Sequence, residues 1–232
     1  MVRSRPLPKH IQIAESVIRE IQAGILSDGA RLPTEKNMAR QYEVAVGTLR
    51  KALALLEEKG LLVRKQGSGN YIKSQPLVDS VYSLFRLELT EGGGLPSAEI
   101  LSVERRIKPQ DTPAFGSSLQ AHCITRIRAL DNLPVALEEI WLDGDQASHM
   151  DPRDISDSLY HYYKYSLGLI ITRAHDRVSA APLPAWTPNE FHLSAGQMTG
   201  LVERLSFDQN GHPVEFSRNW FDPQRCQYVA RL

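Results

Sequence analysis

Arg126 and Arg128 stand two residues apart in ITRIRALDN, whose alternation reads as a strand, so both guanidinium groups fall on one face. Two such forks side by side can clamp a phosphate or a carboxylate through charge-assisted hydrogen bonds. Ser158 opens a short helix in DSLYHYY, where free N–H groups and the helix dipole favour the same anion. Glu138 and Glu215, on strand-like runs, can accept hydrogen bonds from hydroxyl or N–H groups elsewhere on a ligand. A plainer description also fits, in which Arg126, Arg128, Glu138 and Glu139 form cross-strand ion pairs that cover a sheet.

A second set of cations has different surroundings. In RLPTEKNMARQYEVAVGTLRKALALLEEKG, the residues Met38, Ala39 and Tyr42 mark a short helix opened by Pro33-Thr34. Leu49, Ala52, Leu53 and Leu56 mark a longer one that begins near Val46, and only Glu43 to Ala45 separate the two. Helices joined by so short a turn cross steeply, which lets the first brace the phosphate backbone of double-stranded DNA while the second enters the major groove. Thr34, Glu35 and Lys36 open the first helix and can face a phosphate. Val46, Gly47, Thr48 and Arg50 lie on the first turns of the second, where side chains reach base edges.

Gly60 closes that helix, Leu61 to Arg64 read as a strand, and Gln66 to Asn70 form a turn from which Tyr71-Ile72 return. Gln66 and Gly67 open this glycine-rich wing tip, where little side chain lets the backbone approach the minor groove closely. Ile11, Ala14, Val17, Ile18 and Ile21 fall at helical spacing ahead of all this, which completes a small three-helix core ending near Gly24.

The formal charge of zero conceals an asymmetry. Residues 1–75 hold 13 Lys and Arg against 7 Asp and Glu, and residues 76–232 hold 14 against 20. The basic share therefore travels with the helices that would neutralise phosphates. At 232 residues the chain suits a small module plus a larger one. No run approaches the roughly 18 apolar residues of a membrane span, and MVRSRPLPKH lacks a secretory apolar core. A cytoplasmic protein without membrane contact is expected. Cys123 and Cys226 have no CxxC spacing and are expected as reduced thiols.

Beyond KSQPLVD, a polar segment that suits a linker over 74–79, strand-like runs dominate: 98–107, 122–130, 134–142, 170–180, 200–208 and 213–220. Asp131-Asn132 and Asn210-Gly211 join two hairpins. Thr187-Pro188-Asn189-Glu190 has the spacing of a capping box and predicts a further short helix. The class is α+β, with a winged helix-turn-helix domain over 1–73 and an antiparallel-sheet domain over 80–232.

IQIAESVIREIQAGIL, DGARLPTEKNMARQY, VGTLRKALALLEEKG and QGSGNYI together resemble the DNA-binding domain of the GntR family of bacterial transcription regulators. ITRIRALDNLPVALEEIWL, SLYHYY and LVERLSFDQNGHPVEFSRNWF resemble the effector domain of the HutC subfamily, the UTRA domain, which has a chorismate-lyase-like fold. The resemblance implies DNA contacts at Lys36, Thr48, Arg50, Gln66 and Gly67. It implies effector contacts at Arg126, Arg128, Glu138, Ser158, Tyr160 and Glu215, a small anionic effector of the phosphosugar or carboxylate class, and a homodimer on a DNA operator. Repression relieved by the effector is the family's usual outcome.

Two departures stand out. The family usually carries Ser or Thr followed by Arg where this chain has Ala45-Val46, so its common guanine reader is missing and a valine–thymine methyl contact is the substitute. Glu91-Gly92-Gly93-Gly94 replaces the family's sequence near the pocket entrance, leaving Ser83, Thr90 and Ser97 as candidates only.

The competing class is an enzyme of chorismate-lyase-like fold fused to a DNA-binding module. None of the seven histidines sits at metal-ligand spacing, and no GxSxG or phosphate-cradling Gly-Lys-Ser/Thr motif occurs. No catalytic residue, cofactor or metal is expected.

Overall fold

The computed structural model describes residues 2–73 and 80–231. The linker expected over 74–79 lies outside the described residues. Among those described, contacts group the chain into two compact units, one from Leu7–Phe85 and Glu91–Leu95, the other from Met1–Pro6, Arg86–Thr90 and Pro96–Leu232. Neither unit is contiguous in sequence. Residues 2–6 group with the sheet, while 80–85 and 91–95 group with the helices.

The chain enters as a two-residue strand, β1 (Val2–Arg3), which belongs to the sheet unit. The helical unit follows with α1 (Lys9–Gln22), α2 (Glu35–Gln41) and α3 (Val46–Glu58), then β2 (Leu62–Lys65) and β3 (Gly69–Ile72). Thr34 caps α2, its Oγ1 accepting the Asn37 N–H at 3.3 Å, as Ser and Thr do ahead of a helix. Glu43, with φ 53°, turns the chain between α2 and α3, and Gly60, with φ 72°, ends α3 in the left-handed region that glycine adopts without penalty. Ala14, Val17, Ile18 and Ile21 of α1 meet Leu49, Leu53 and Leu56 of α3 in one core, which Leu61, Leu62 and Ile72 close from the wing side.

Two charged residues of α1 are also buried. Glu15 accepts from Ser80 Oγ at 2.5 Å, and Arg19 donates from Nε to the Gly94 carbonyl at 2.5 Å and from Nη2 to Gly93 at 3.3 Å. Three consecutive positive φ values, at Gly92, Gly93 and Gly94, present those carbonyls to Arg19. That is where the triglycine sequence goes: it lies against Arg19 of α1 and against Ala23 and Ile25 just after that helix.

The sheet unit contains β4 (Leu87–Leu89), β5 (Pro96–Ile107), β6 (Gln120–Leu130), β7 (Leu133–Asp143), α4 (Leu159–Tyr162), β8 (Arg173–Pro182), β9 (Met198–Phe207), β10 (Pro213–Phe221) and β11 (Cys226–Tyr228). Seven strands form one antiparallel sheet in the order β1-β5-β6-β7-β10-β9-β8, and β4 pairs with β11 apart from it. Asp131 and Asn132, with φ 47° and 66°, make the tight β6–β7 turn that a right-twisted hairpin favours. The β9–β10 hairpin forms around Asn210-Gly211 as its sequence predicts.

One expected helix is absent. Thr187 turns its hydroxyl back to the Pro184 carbonyl at 2.6 Å rather than forward over residue 190, so residues 187–193 form turns and bends. Buried Phe191 anchors this stretch to Leu137, Leu201 and Trp220, and tertiary packing overrides the local capping signal. Among the described residues no helix is long and apolar enough to cross a membrane.

Close packing across β9 and β10 gives a first prediction. A Cβ at Gly200 would sit 2.2 Å from Phe221 Cζ, so Gly200→Ala must displace a buried ring. The expected cost is about 1–3 kcal/mol, read as a lower midpoint in thermal unfolding; an unchanged midpoint would show that the ring moves freely.

Candidate functional site

In the sheet unit, the register places Arg126 opposite Glu138 and Arg128 two residues along, so parity puts all three on one face. Each is buried: the side chains are 4%, 3% and 5% exposed in the order Arg126, Arg128, Glu138. Arg126 Nε donates to Glu138 Oε2, Arg128 Nε reaches Oε1 at 3.2 Å, and Arg128 Nη2 reaches Oε2 at 3.1 Å. One buried carboxylate thus faces two buried guanidinium groups. Arg126 Nη1 is buried and, among the described residues, has no hydrogen-bond partner. Burial, with Arg128 alongside, pulls the Arg126 guanidinium below its ordinary pKa. Burial alone would raise the Glu138 carboxyl, but the two guanidiniums outweigh it and hold it below the usual carboxylate range.

Asp157 ties this cluster to its surroundings. Its backbone carbonyl accepts from Arg128 Nη1 at 2.9 Å and its Oδ1 accepts the Ala98 N–H at 3.1 Å. The N-terminal strap runs beside it, with Arg5 N–H donating to the Ile155 carbonyl at 2.8 Å and Asp157 N–H donating to the Arg5 carbonyl at 3.2 Å. Ser158 then caps α4, its Oγ accepting the His161 N–H at 3.3 Å. Only four α-helical residues follow before a π turn over Tyr163–Leu167, so the dipole expected at Ser158 is small.

Glu215 forms a second buried centre on the same face. Its Oε1 accepts from Ser206 Oγ at 2.8 Å and Tyr160 OH at 3.1 Å, and its Oε2 accepts from Tyr163 OH at 2.7 Å. Burial pushes this carboxyl up, only partly opposed by the hydroxyl donors. Tyr160 and Tyr163 are likewise raised, chiefly by burial and then by Glu215. Arg204, bidentate to Asp176 at 2.6 and 2.7 Å, and Tyr228, 2.7 Å from the same carboxylate, extend the network.

Tyr163, Ser206, Arg204 and Asp176 were not among the residues the sequence singled out. Ser206 had a usable signal, because counting back from Asn210-Gly211 pairs it with Glu215, as observed. Glu139 does not join the cluster: it lies on the opposite face, where it accepts from Trp141 Nε1 and faces Arg218. Of the loop candidates, Ser83 groups with the helical unit and Thr90 and Ser97 with the sheet unit. A separate cavity of about 440 Å³, lined by Phe115, Asp143, Asp208 and His212 among others, includes none of the expected effector residues.

In the helical unit, Glu35 Oε2 accepts from Arg50 Nε at 2.7 Å, which joins the start of α2 to the first turns of α3. Lys36, Gly47, Gln66 and Gly67 are exposed and Thr48 is half-buried. Val46, half-buried, packs against the helical core, so only part of its side chain is left to meet a base. Among the described residues no group of three or more His, Cys, Asp or Glu could hold a metal ion.

Residues 10–72 match the model of the bacterial regulatory proteins of the gntR family, and residues 91–227 match that of the UTRA domain. The chain is 49% identical over 226 residues, 97% of each chain, to the HTH-type transcriptional regulator SmoD of Agrobacterium fabrum. It is 23% identical to the HTH-type transcriptional repressor NagR of Bacillus subtilis, covering 98% of this chain and 96% of that one. Among solved structures, the possible transcriptional regulator YydK from Bacillus subtilis superposes with a TM-score of 0.53 at 20% identity, over 97% of this chain and all of the other.

Proposed function

The chain belongs to the GntR family of bacterial regulatory proteins and carries a UTRA domain, and on that premise we propose that it is a repressor released from its operator by a small anionic metabolite. It is a transcriptional regulator and not an enzyme. The observation that carries the anionic assignment is Arg126 Nη1, a buried donor that among the described residues has no hydrogen-bond partner, in a cluster where two guanidinium groups share the Glu138 carboxylate. Such an atom is costly to leave unpaired and is relieved by an anion. Arg126, Arg128 and Ser158 then hold the charged end, while Glu138, Tyr160 and Glu215 meet hydroxyl groups, which suits a phosphosugar or a hydroxylated carboxylate.

Operator contacts are assigned to Thr34, Glu35, Lys36, Val46, Gly47, Thr48, Arg50, Gln66 and Gly67. The repressor reading is supported by the likeness to NagR, a transcriptional repressor. A cytoplasmic homodimer would set two reading helices on half-sites about one helical turn apart. The effector changes operator affinity only by its differential affinity for the two states it connects.

The test is thermal unfolding of the full chain with inorganic phosphate, glucose 6-phosphate or urocanate, each also titrated into a complex with a duplex selected from a random library. At least one is expected to raise the melting temperature and weaken DNA binding, and Arg126→Ala is expected to lower its affinity by about 10- to 150-fold, the worth of a charge-assisted hydrogen bond. A fully responsive Arg126→Ala variant would contradict the assignment.

A further inference from the structure

We propose that the cavity of about 440 Å³ in the sheet unit is a second ligand site, built around Asp143 and taking a small organic amine. Strand parity separates its anchor from the effector residues. Asp143 ends β7 two residues beyond Trp141 and four beyond Glu139, so it shares their face, opposite Glu138. Phe115, which also lines the cavity, packs with Trp141 and Phe216. The volume falls among those of small-molecule pockets, about 300–1,000 Å³. None of the residues assigned to the effector lines it, so the proposal stands apart from the anionic reading of the Arg126 cluster.

The chemistry starts from an acceptor without a donor. The Asp143 side chain is 1% exposed, and its Oδ1 is taken by Lys108 Nζ at 2.7 Å and by the Ser118 N–H at 3.1 Å. Its Oδ2 is buried and, among the described residues, has no hydrogen-bond partner. A buried carboxylate oxygen in this state is costly, and an N–H donor relieves it. Gly116 shapes the wall beside it. Its φ of 58° lies in the left-handed region, and a Cβ there would stand 2.0 Å from Asp143 Cγ. The loop can pass this close to the carboxylate because the residue is glycine.

A second carboxylate sets the charge of the ligand. Asp208 Oδ1 accepts the Asn210 and His212 N–H groups, each at 2.8 Å, while its Oδ2 stands 3.7 Å from Nδ1 of exposed His212. Lys108 supplies one positive charge for the carboxylates of Asp143 and Asp208, so a cation suits this cavity better than an anion. Ala114, Pro213 and Val214 add apolar wall, against which an alkyl stem can lie behind a charged head. Among the described residues no three His, Cys, Asp or Glu could hold a metal ion, so the donor set fits an ammonium group that donates to Asp143 Oδ2.

The test is calorimetric titration and thermal unfolding of the full chain with n-butylamine, putrescine and agmatine at neutral pH, with n-butanol and 1,4-butanediol as uncharged counterparts. At least one amine is expected to bind one to one and raise the melting temperature, while both alcohols leave it unchanged. Asp143→Asn keeps an oxygen for Lys108 and is expected to weaken amine binding by about 10- to 150-fold, the worth of a charge-assisted hydrogen bond. Ala114→Trp fills the cavity from an exposed wall position and should abolish binding without removing a charge, which decides the matter if the asparagine variant fails to fold. Glu190→Gln, which removes an exposed carboxylate elsewhere in the sheet unit, should bind as the wild type does. Absence of binding by every amine, equal shifts with the alcohols, or full affinity in Ala114→Trp would overturn the assignment. So would a loss in Glu190→Gln as large as that in Asp143→Asn, which would mark general attraction to an acidic domain.

Discussion

Glu138→Gln is expected to destabilise the sheet unit by about 3–5 kcal/mol in the absence of ligand, because it strips from two buried guanidinium groups the carboxylate they share. The amide still fills the space and accepts one hydrogen bond, so the loss is of charge rather than volume. For a domain of this size each kcal/mol moves the melting temperature by about 2–4 °C. The same substitution should make the cluster a tighter anion site, so inorganic phosphate is expected to recover more stability in the variant than in the wild type.

The pH dependence has a definite sign. The Glu138 carboxyl is held below its ordinary value, so it contributes stability above the unfolded carboxylate range and loses it as pH falls through the folded pKa. Glu215 is raised and has the opposite sign, contributing below the unfolded value and losing that as pH rises through the folded one. Glu138→Gln removes only the first contribution, so the gap to wild type should narrow as the solution is acidified. A variant as stable as wild type at neutral pH and no more responsive to phosphate would refute the picture of a charge-starved anion site.

The legible parts of this chain are those where one local period decides the outcome. Apolar spacing placed the three helices, and strand parity put Arg126 and Arg128 on one face, because both depend only on residues a few positions apart. What stayed hidden depends on distant pairing. β1 is two residues long and shows no alternation, yet it forms the edge of the seven-stranded sheet beside β5. Asp157 matters through its backbone carbonyl, which any residue would have provided. Arg204 and Asp176 meet because β8 and β9 pair in one register, and no spacing within either strand reveals it. Thr187 shows the converse, a correct local motif whose hydroxyl found a better partner at Pro184. The triglycine segment looked like a variant of a pocket loop, but its carbonyls serve Arg19 on α1, a partner about 75 residues earlier whose burial the helical pattern alone does not explain.

Arg50→Ala is expected to remove operator discrimination while leaving the fold intact. The side chain is 64% exposed, and its ion pair with Glu35 is of the surface kind that contributes about 0–1 kcal/mol, so the melting temperature should scarcely move. Its role lies in orientation. Glu35 holds Nε at 2.7 Å, which restrains the long side chain over the first turns of α3 and leaves both terminal nitrogens to meet a base. A bidentate arginine–guanine pair is worth about 1–3 kcal/mol, or roughly 5- to 150-fold in preference for the selected duplex over a scrambled one. Because position 46 is a valine that leans on the core, no second arginine on that turn can take over, and the loss should be close to complete. Glu35→Ala should act in the same direction but more weakly, since it only frees Arg50 to sample other rotamers, at about 0.5–1.5 kcal/mol when the side chain is immobilised on binding. The measurement is the ratio of affinities for the two duplexes. An Arg50→Ala variant that binds both more weakly by one common factor would make Arg50 another phosphate contact and move base reading elsewhere on α3.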